Sequence, residues 1–228
     1  MAEPAKNQVY QFSTIGALAH GLYDGSMECG ELKKRGNFGI GTFDGLDGEM
    51  IQLDGGIYQV RTDGKAYVAS NSQKAPFAVN LFFQSDKKIS VPPNINYAGV
   101  QAFLDSVCPS KNKIYAIKII GEFSYLKTRS VPKHEKPYPP LAEAVKNQKL
   151  FEFRNVRGTL VGFRFPEYLQ SVNVPGYHFH FLTEDRAGGG HLLDFQGAAL
   201  EAQVVEARSF TLEFPSSEEF SHADLGAQ

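Results

Sequence analysis

The chain has 228 residues, 42% of them hydrophobic and 21% charged, with a formal net charge of −2. That length supports one large domain or two small ones around a sizeable core, and so small a net charge excludes a surface that draws the protein to nucleic acid or anionic membrane. No apolar run reaches the length of a membrane span, and two cysteines, Cys29 and Cys108, make no disulfide framework and no metal-ligand spacing.

Met1 to Lys6 is short and polar and lacks the apolar core of a secretory signal, so a cytoplasmic location is expected. Val9 to Phe12 predicts a strand. Ser13 or Thr14 can cap a helix over Ile15 to Leu22, which Tyr23-Asp24-Gly25 ends. A series of hairpin signals follows. Strands are expected at Asn37–Phe43, Glu49–Leu53, Ile57–Thr62 and Lys65–Ala69, separated by Asp44-Gly45 and Asp47-Gly48, Asp54-Gly55-Gly56 and Asp63-Gly64. Asp-Gly pairs suit the tight turns that join antiparallel strands, so this region reads as a β-meander. Phe77 to Phe83 predicts a further strand. After Pro92-Pro93, the spacing of Val100, Phe103, Leu104 and Val107 predicts a helix over 97–107. Ile114 to Phe123 predicts a long strand.

Lys127 to Pro140 mixes four prolines with basic residues and reads as an extended connector. Leu141 to Gln148 reads as a helix. Phe151 to Arg164 is strand-like with a turn expected at Arg157-Gly158. Gln196 to Glu206 and Ser209 to Phe214 predict the last strands, before a polar tail with one helical turn. The expectation is an α+β fold: an N-terminal part, residues 1–126, with a mixed sheet and two helices, and a mostly antiparallel β C-terminal part, residues 127–228. A small-molecule pocket is expected where the two parts meet.

Gly176 to Phe195, GYHFHFLTEDRAGGGHLLDF, holds three of the six histidines. Alternation from Tyr177 to Leu182 puts His178 and His180 on one face and Phe179 and Phe181 on the other. A short loop at Glu184–Ala187 sets Thr183 opposite Gly188 and therefore His180 opposite His191. Opposed residues share a face with Cβ atoms roughly 4.5–5.5 Å apart. Three imidazoles on one side of a hairpin outline a metal site with an open fourth position, the form taken by catalytic zinc. By donor type alone, zinc, copper, nickel and iron all fit, and a hydrolase or a cupin-like oxygenase would use the same three ligands. Glu184, four residues beyond the HxH, falls in the loop and off this face. His20, His134 and His222 have no partner at ligand spacing.

Two other residues have ambiguous positions. Glu49 shares a face with Ile51 and Leu53, yet as the first residue of its strand it can reach water beside the turn. Arg129 lies among Lys127, Lys133 and Lys136 and on position alone reads as a solvated arginine.

STIGALAHGLYDG, GTFDGLDGEM, TRSVPKHEKPYPPL and PGYHFHFLTEDRAGGGHLLDF occur in this order. With these four blocks the chain resembles the bacterial α-acetolactate decarboxylases along nearly its whole length. The resemblance implies that His178, His180 and His191 bind Zn2+, and that Glu49 and Arg129 are active-site residues. It implies decarboxylation of a small 2-hydroxy-3-oxo acid, 2-acetolactate, to (R)-acetoin and CO2 by a homodimer, while the charge and the N-terminal residues are what point to a cytoplasmic protein with neither nucleic acid nor membrane as partner. Zinc suits such chemistry as a Lewis acid, Arg129 would hold the carboxylate, and Glu49 or a zinc-bound water would supply the proton. Some members add a glutamate from the C-terminal tail; Glu218 and Glu219 are the nearest acidic residues here, and neither is assigned.

Overall fold

The computed structural model describes residues 7–85 and 87–226. In chain order its elements are β1 (Gln8–Phe12), α1 (Ile15–Ala19), β2 (Met27–Glu28), α2 (Cys29–Lys33), β3 (Phe38–Thr42), β4 (Glu49–Leu53), β5 (Gly56–Val60) and β6 (Ala66–Val68). Then follow β7 (Lys74–Ala75), β8 (Phe77–Leu81), β9 (Lys88–Ser90), β10 (Ile95–Asn96), α3 (Tyr97–Val107), β11 (Tyr115–Ser130) and α4 (Leu141–Ala144). The chain ends with β12 (Lys149–Phe165), β13 (Gly176–Thr183), β14 (Gly189–Glu206), β15 (Ser209–Glu213) and α5 (Glu218–His222). This is the expected α+β arrangement. No described helix is long and apolar enough to cross a membrane.

Local signals account for many boundaries. Thr14 caps α1 by accepting a bond from the Ala17 amide at 3.1 Å, and Asn96 caps α3 by accepting from the Gly99 amide at 2.9 Å. Asp54 and Gly55 take positive φ values of 52° and 82° between the paired residues Leu53 and Gly56. This is the two-residue turn for which Asp-Gly is suited.

The first sheet has seven strands in the order β15-β1-β8-β3-β4-β5-β6. Its strands pair antiparallel except β1 and β15, which run parallel. In the second sheet β11, β12, β13 and β14 pair in sequence, and β14 also pairs back to β11. The four long strands therefore close into a ring at the end that carries the histidines.

Two expectations are corrected here. The division expected between residues 126 and 127 falls inside β11, which runs unbroken to Ser130. The sheets also interlock, because β15 from the C-terminus joins β1, while β9 and β10 join β14. The turn expected at Arg157-Gly158 is absent, and β12 continues straight through it. Gly158 is required for space: a Cβ there would lie 2.5 Å from the Phe181 ring and from the Leu182 carbonyl oxygen.

Alternation distributes the long strands between two cores. Val161, Phe163 and Leu182 face the first sheet and pack with Ile40, Ile51, Leu53 and Val79. Leu160, Phe179 and Phe181 face the other way, into a cluster with Phe123, Phe195 and the α3 residues Val100 and Leu104. Phe123 meets both Phe181 and Phe195 edge-on, with ring centroids 5.5 and 5.3 Å apart. Since His178 and His180 alternate with these phenylalanines, they project toward the first sheet rather than into water.

Candidate metal centre

The observed register places His180 directly opposite His191. His191 is in turn opposite Arg129 on β11. Residues paired in this way share a face, so β13, β14 and β11 present His180, His191 and Arg129 in one row, with His178 two residues along. β14 can approach so closely because of its glycines. A Cβ on Gly190, where φ is +134°, would lie 2.6 Å from the Arg129 carbonyl oxygen.

The imidazoles converge. His178 Nε2 lies 3.1 Å from His191 Nδ1, which lies 3.3 Å from His180 Nε2. His180 Nδ1 donates to the Met50 carbonyl oxygen at 2.8 Å, so in the neutral ring its bare nitrogen is Nε2, the one facing the other two histidines. Burial is the main force on all three. It pushes His178 down to about 4 and holds His180 and His191 well below the ordinary histidine range, with the Arg129 charge adding in the same direction. These rings are thus neutral at pH 7, the state in which imidazole ligates a metal. Three lone-pair nitrogens crowded together, with no positive charge on the rings, fit a divalent cation. The donor set suits zinc, and equally copper, nickel or iron.

The first sheet supplies the other half of the site. Glu49, at the start of β4, is only 7% exposed, and its Oε2 lies 3.5 Å from His180 Nε2. The strand-start position that would let it reach water is covered by the second sheet. Desolvation raises its carboxyl to about 7 against the opposing pull of Arg129. Thr42, opposite Glu49 on β3, turns its hydroxyl to the Gly48 carbonyl oxygen at 2.7 Å. The end of β11 is tied to this sheet by Ser130 Oγ, which donates to the Val60 carbonyl oxygen at 2.8 Å.

Arg129 is half-buried, not a freely solvated side chain, and its Nη1 donates to Gln148 Oε1 at 3.2 Å. A cavity of about 110 Å3 is lined by Thr42, Glu49, Arg129 and the histidines. Leu18, Leu46, Phe77, Val131, Leu141 and Val145 form its apolar wall. This wall escaped the sequence reading. It draws on residues more than a hundred positions apart, and a single Leu or Val in a loop carries no signal of where it packs. The cavity lies between the two sheets, near the expected junction.

The remaining candidates lie elsewhere. Glu184 is exposed in the hairpin turn beside Arg157. Glu219, on exposed α5, pairs with Lys136 at 2.7 Å. His20 bonds to the Gly16 carbonyl oxygen, and Cys29 and Cys108 are buried free thiols.

A family model described as alpha-acetolactate decarboxylase matches residues 9–227. An alpha-acetolactate decarboxylase of Methanosarcina mazei is 50% identical over 222 residues, covering 97% of this chain and 77% of the relative. One from Methylococcus capsulatus is 46% identical over 219 residues, covering 96% and 84%. Among solved structures, the crystal structure of alpha-acetolactate decarboxylase from Bacillus subtilis strain 168 superposes with a TM-score of 0.94 at 41% identity, covering 96% of this chain and 94% of that one.

Proposed function

This chain belongs to the alpha-acetolactate decarboxylase family, and from that premise we propose that it converts 2-acetolactate to (R)-acetoin and CO2 with zinc held by His178, His180 and His191. The observation that carries the reading is the row of His180, His191 and Arg129 on three neighbouring strands, faced by buried Glu49 from the other sheet.

Loss of CO2 leaves an electron pair that the neighbouring ketone must accept, and zinc bound here would supply Lewis acidity for that developing charge. The chain's own residues do the rest. Arg129 binds the carboxylate with its planar guanidinium and turns that group away from the apolar wall. Leu18, Leu46 and Phe77 take the methyl groups and keep water from the carbanion. Burial raises Glu49 to about 7 in the metal-free protein, and from its place beside His180 the carboxyl can relay a proton to the reacting carbon. Because it reaches the cavity from one sheet only, delivery from that side yields a single enantiomer.

Two free buried thiols are compatible with a reducing compartment, which supports a cytoplasmic place for this step in acetoin formation. A homodimer paired along the edge strand β6, where Val68 is 75% exposed, completes the reading. The decisive test is CO2 release from 2-acetolactate before and after treatment with a strong chelator, followed by zinc replacement. Activity lost and then restored supports the proposal; activity undiminished by chelation overturns it.

A further inference from the structure

We infer that Gln148 is a positioning residue that aims the Arg129 guanidinium at the substrate carboxylate. The inference rests on the reading of Arg129 as the carboxylate clamp and adds the group that directs it. It starts from a short helical segment, α4 and the 3-10 turn Val145–Asn147 that continues it. Leu141, Ala144, Val145 and Gln148 follow the i, i+3, i+4, i+7 spacing of one helical face. Ala144 is buried, and Leu141 and Val145 line the cavity. Glu143, Lys146 and Asn147 on the other face are exposed. Gln148 ends that inner stripe, where Arg129 Nη1 donates to its Oε1 at 3.2 Å.

The backbone of Gln148 is held from both sides. Its amide donates to the Val145 carbonyl oxygen at 3.1 Å. The next residues, Lys149 and Leu150, enter the β11 ladder opposite Ser130 and Arg129. The side-chain amide oxygen is therefore an acceptor on an anchored backbone, beside a long, flexible cation. Its neutrality matters. A guanidinium only donates, so the amide must present its oxygen, which sets direction without cancelling charge. A carboxylate in that place would form a charge-assisted pair and occupy the fork intended for the ligand.

The test uses zinc-loaded enzyme and two competitive inhibitors. One is 2,3-dihydroxy-2-methylbutanoate, which has the carboxylate but no ketone to accept electrons. The other is butane-2,3-diol, the same skeleton without the carboxylate. Gln148→Ala is expected to weaken the acid about tenfold, as for loss of a hydrogen bond to a charged group, and to leave the diol unchanged. Gln148→Glu is expected to weaken the acid further, again sparing the diol, while Asn147→Ala on the exposed face changes neither. Equal losses for acid and diol, or no loss for the acid, overturn the positioning role. If the unsubstituted enzyme itself binds the acid no better than the diol, the Arg129 clamp fails, and this inference fails with it.

Discussion

Glu49→Gln is expected to make the metal-free protein more stable at pH 8 while disabling the enzyme. The substitution keeps shape and removes the capacity to ionise. Glu49 goes from an ordinary value of 4.5 to about 7 on folding, with desolvation the principal cause. That rise corresponds to roughly 3 kcal/mol, and its sign follows from linkage. Below the unfolded value the carboxyl is protonated in both states, and burial carries no ionic penalty. As pH climbs through 4.5 the unfolded chain gains by ionising while the folded one does not, and above about 7 the full penalty is present. Glutamine never meets it. Thermal melts of chelator-treated proteins should therefore coincide near pH 4 and separate by about 6 °C or more at pH 8, with the variant higher. Zinc should erase the gap, since a neighbouring dication favours the carboxylate. Decarboxylation by zinc-loaded variant should fall by about 10²–10⁴, as for a lost general acid-base group. Equal melting points at pH 8 would refute the claim that Glu49 is desolvated, and full activity would remove it from the proton path.

Three further outcomes are expected. His191→Ala removes the imidazole that pairs across to both His180 and Arg129; zinc affinity measured by competition with a chromophoric chelator should drop by at least about 100-fold, and stoichiometric zinc in the purified variant would rule out a three-histidine site. Arg129→Lys keeps the charge but loses the planar fork, so kcat/KM for acetolactate should fall by roughly tenfold or more, whereas unchanged kinetics would dismiss the clamp. Gly190→Ala puts a methyl 2.6 Å from the Arg129 carbonyl oxygen at a φ of +134°; a loss of about 2 kcal/mol or more in urea unfolding is expected, and a neutral result would show that β14 need not run so close to β11.

The histidine hairpin was legible because its physics is local. Side chains alternate with a period of two, the Glu184–Ala187 loop is short, and counting back from it yields the His180–His191 pair that the sheet contains. The Asp54-Gly55 turn and the Thr14 cap were readable for the same reason, since each depends on a few neighbouring residues. Gly158 misled because a glycine demanded by a neighbouring Phe ring looks, in sequence, like a glycine demanded by a turn.

The neighbourhood of Glu49 and Arg129 was of another kind. On β4 alone Glu49 could have met water as easily as a histidine; its burial exists only because the second sheet lies over the start of that strand. Arg129 reads as one cation among several until β11 continues to Ser130 and sets it opposite His191. Sequence by itself thus determined the strands and Asp-Gly turns of the N-terminal meander and a hairpin with three imidazoles on one face, because backbone preference and alternation act over a few residues. The packing of one sheet on the other decided which carboxyl, which guanidinium and which apolar wall surround those imidazoles, because desolvation and contact arise only between segments far apart in the chain.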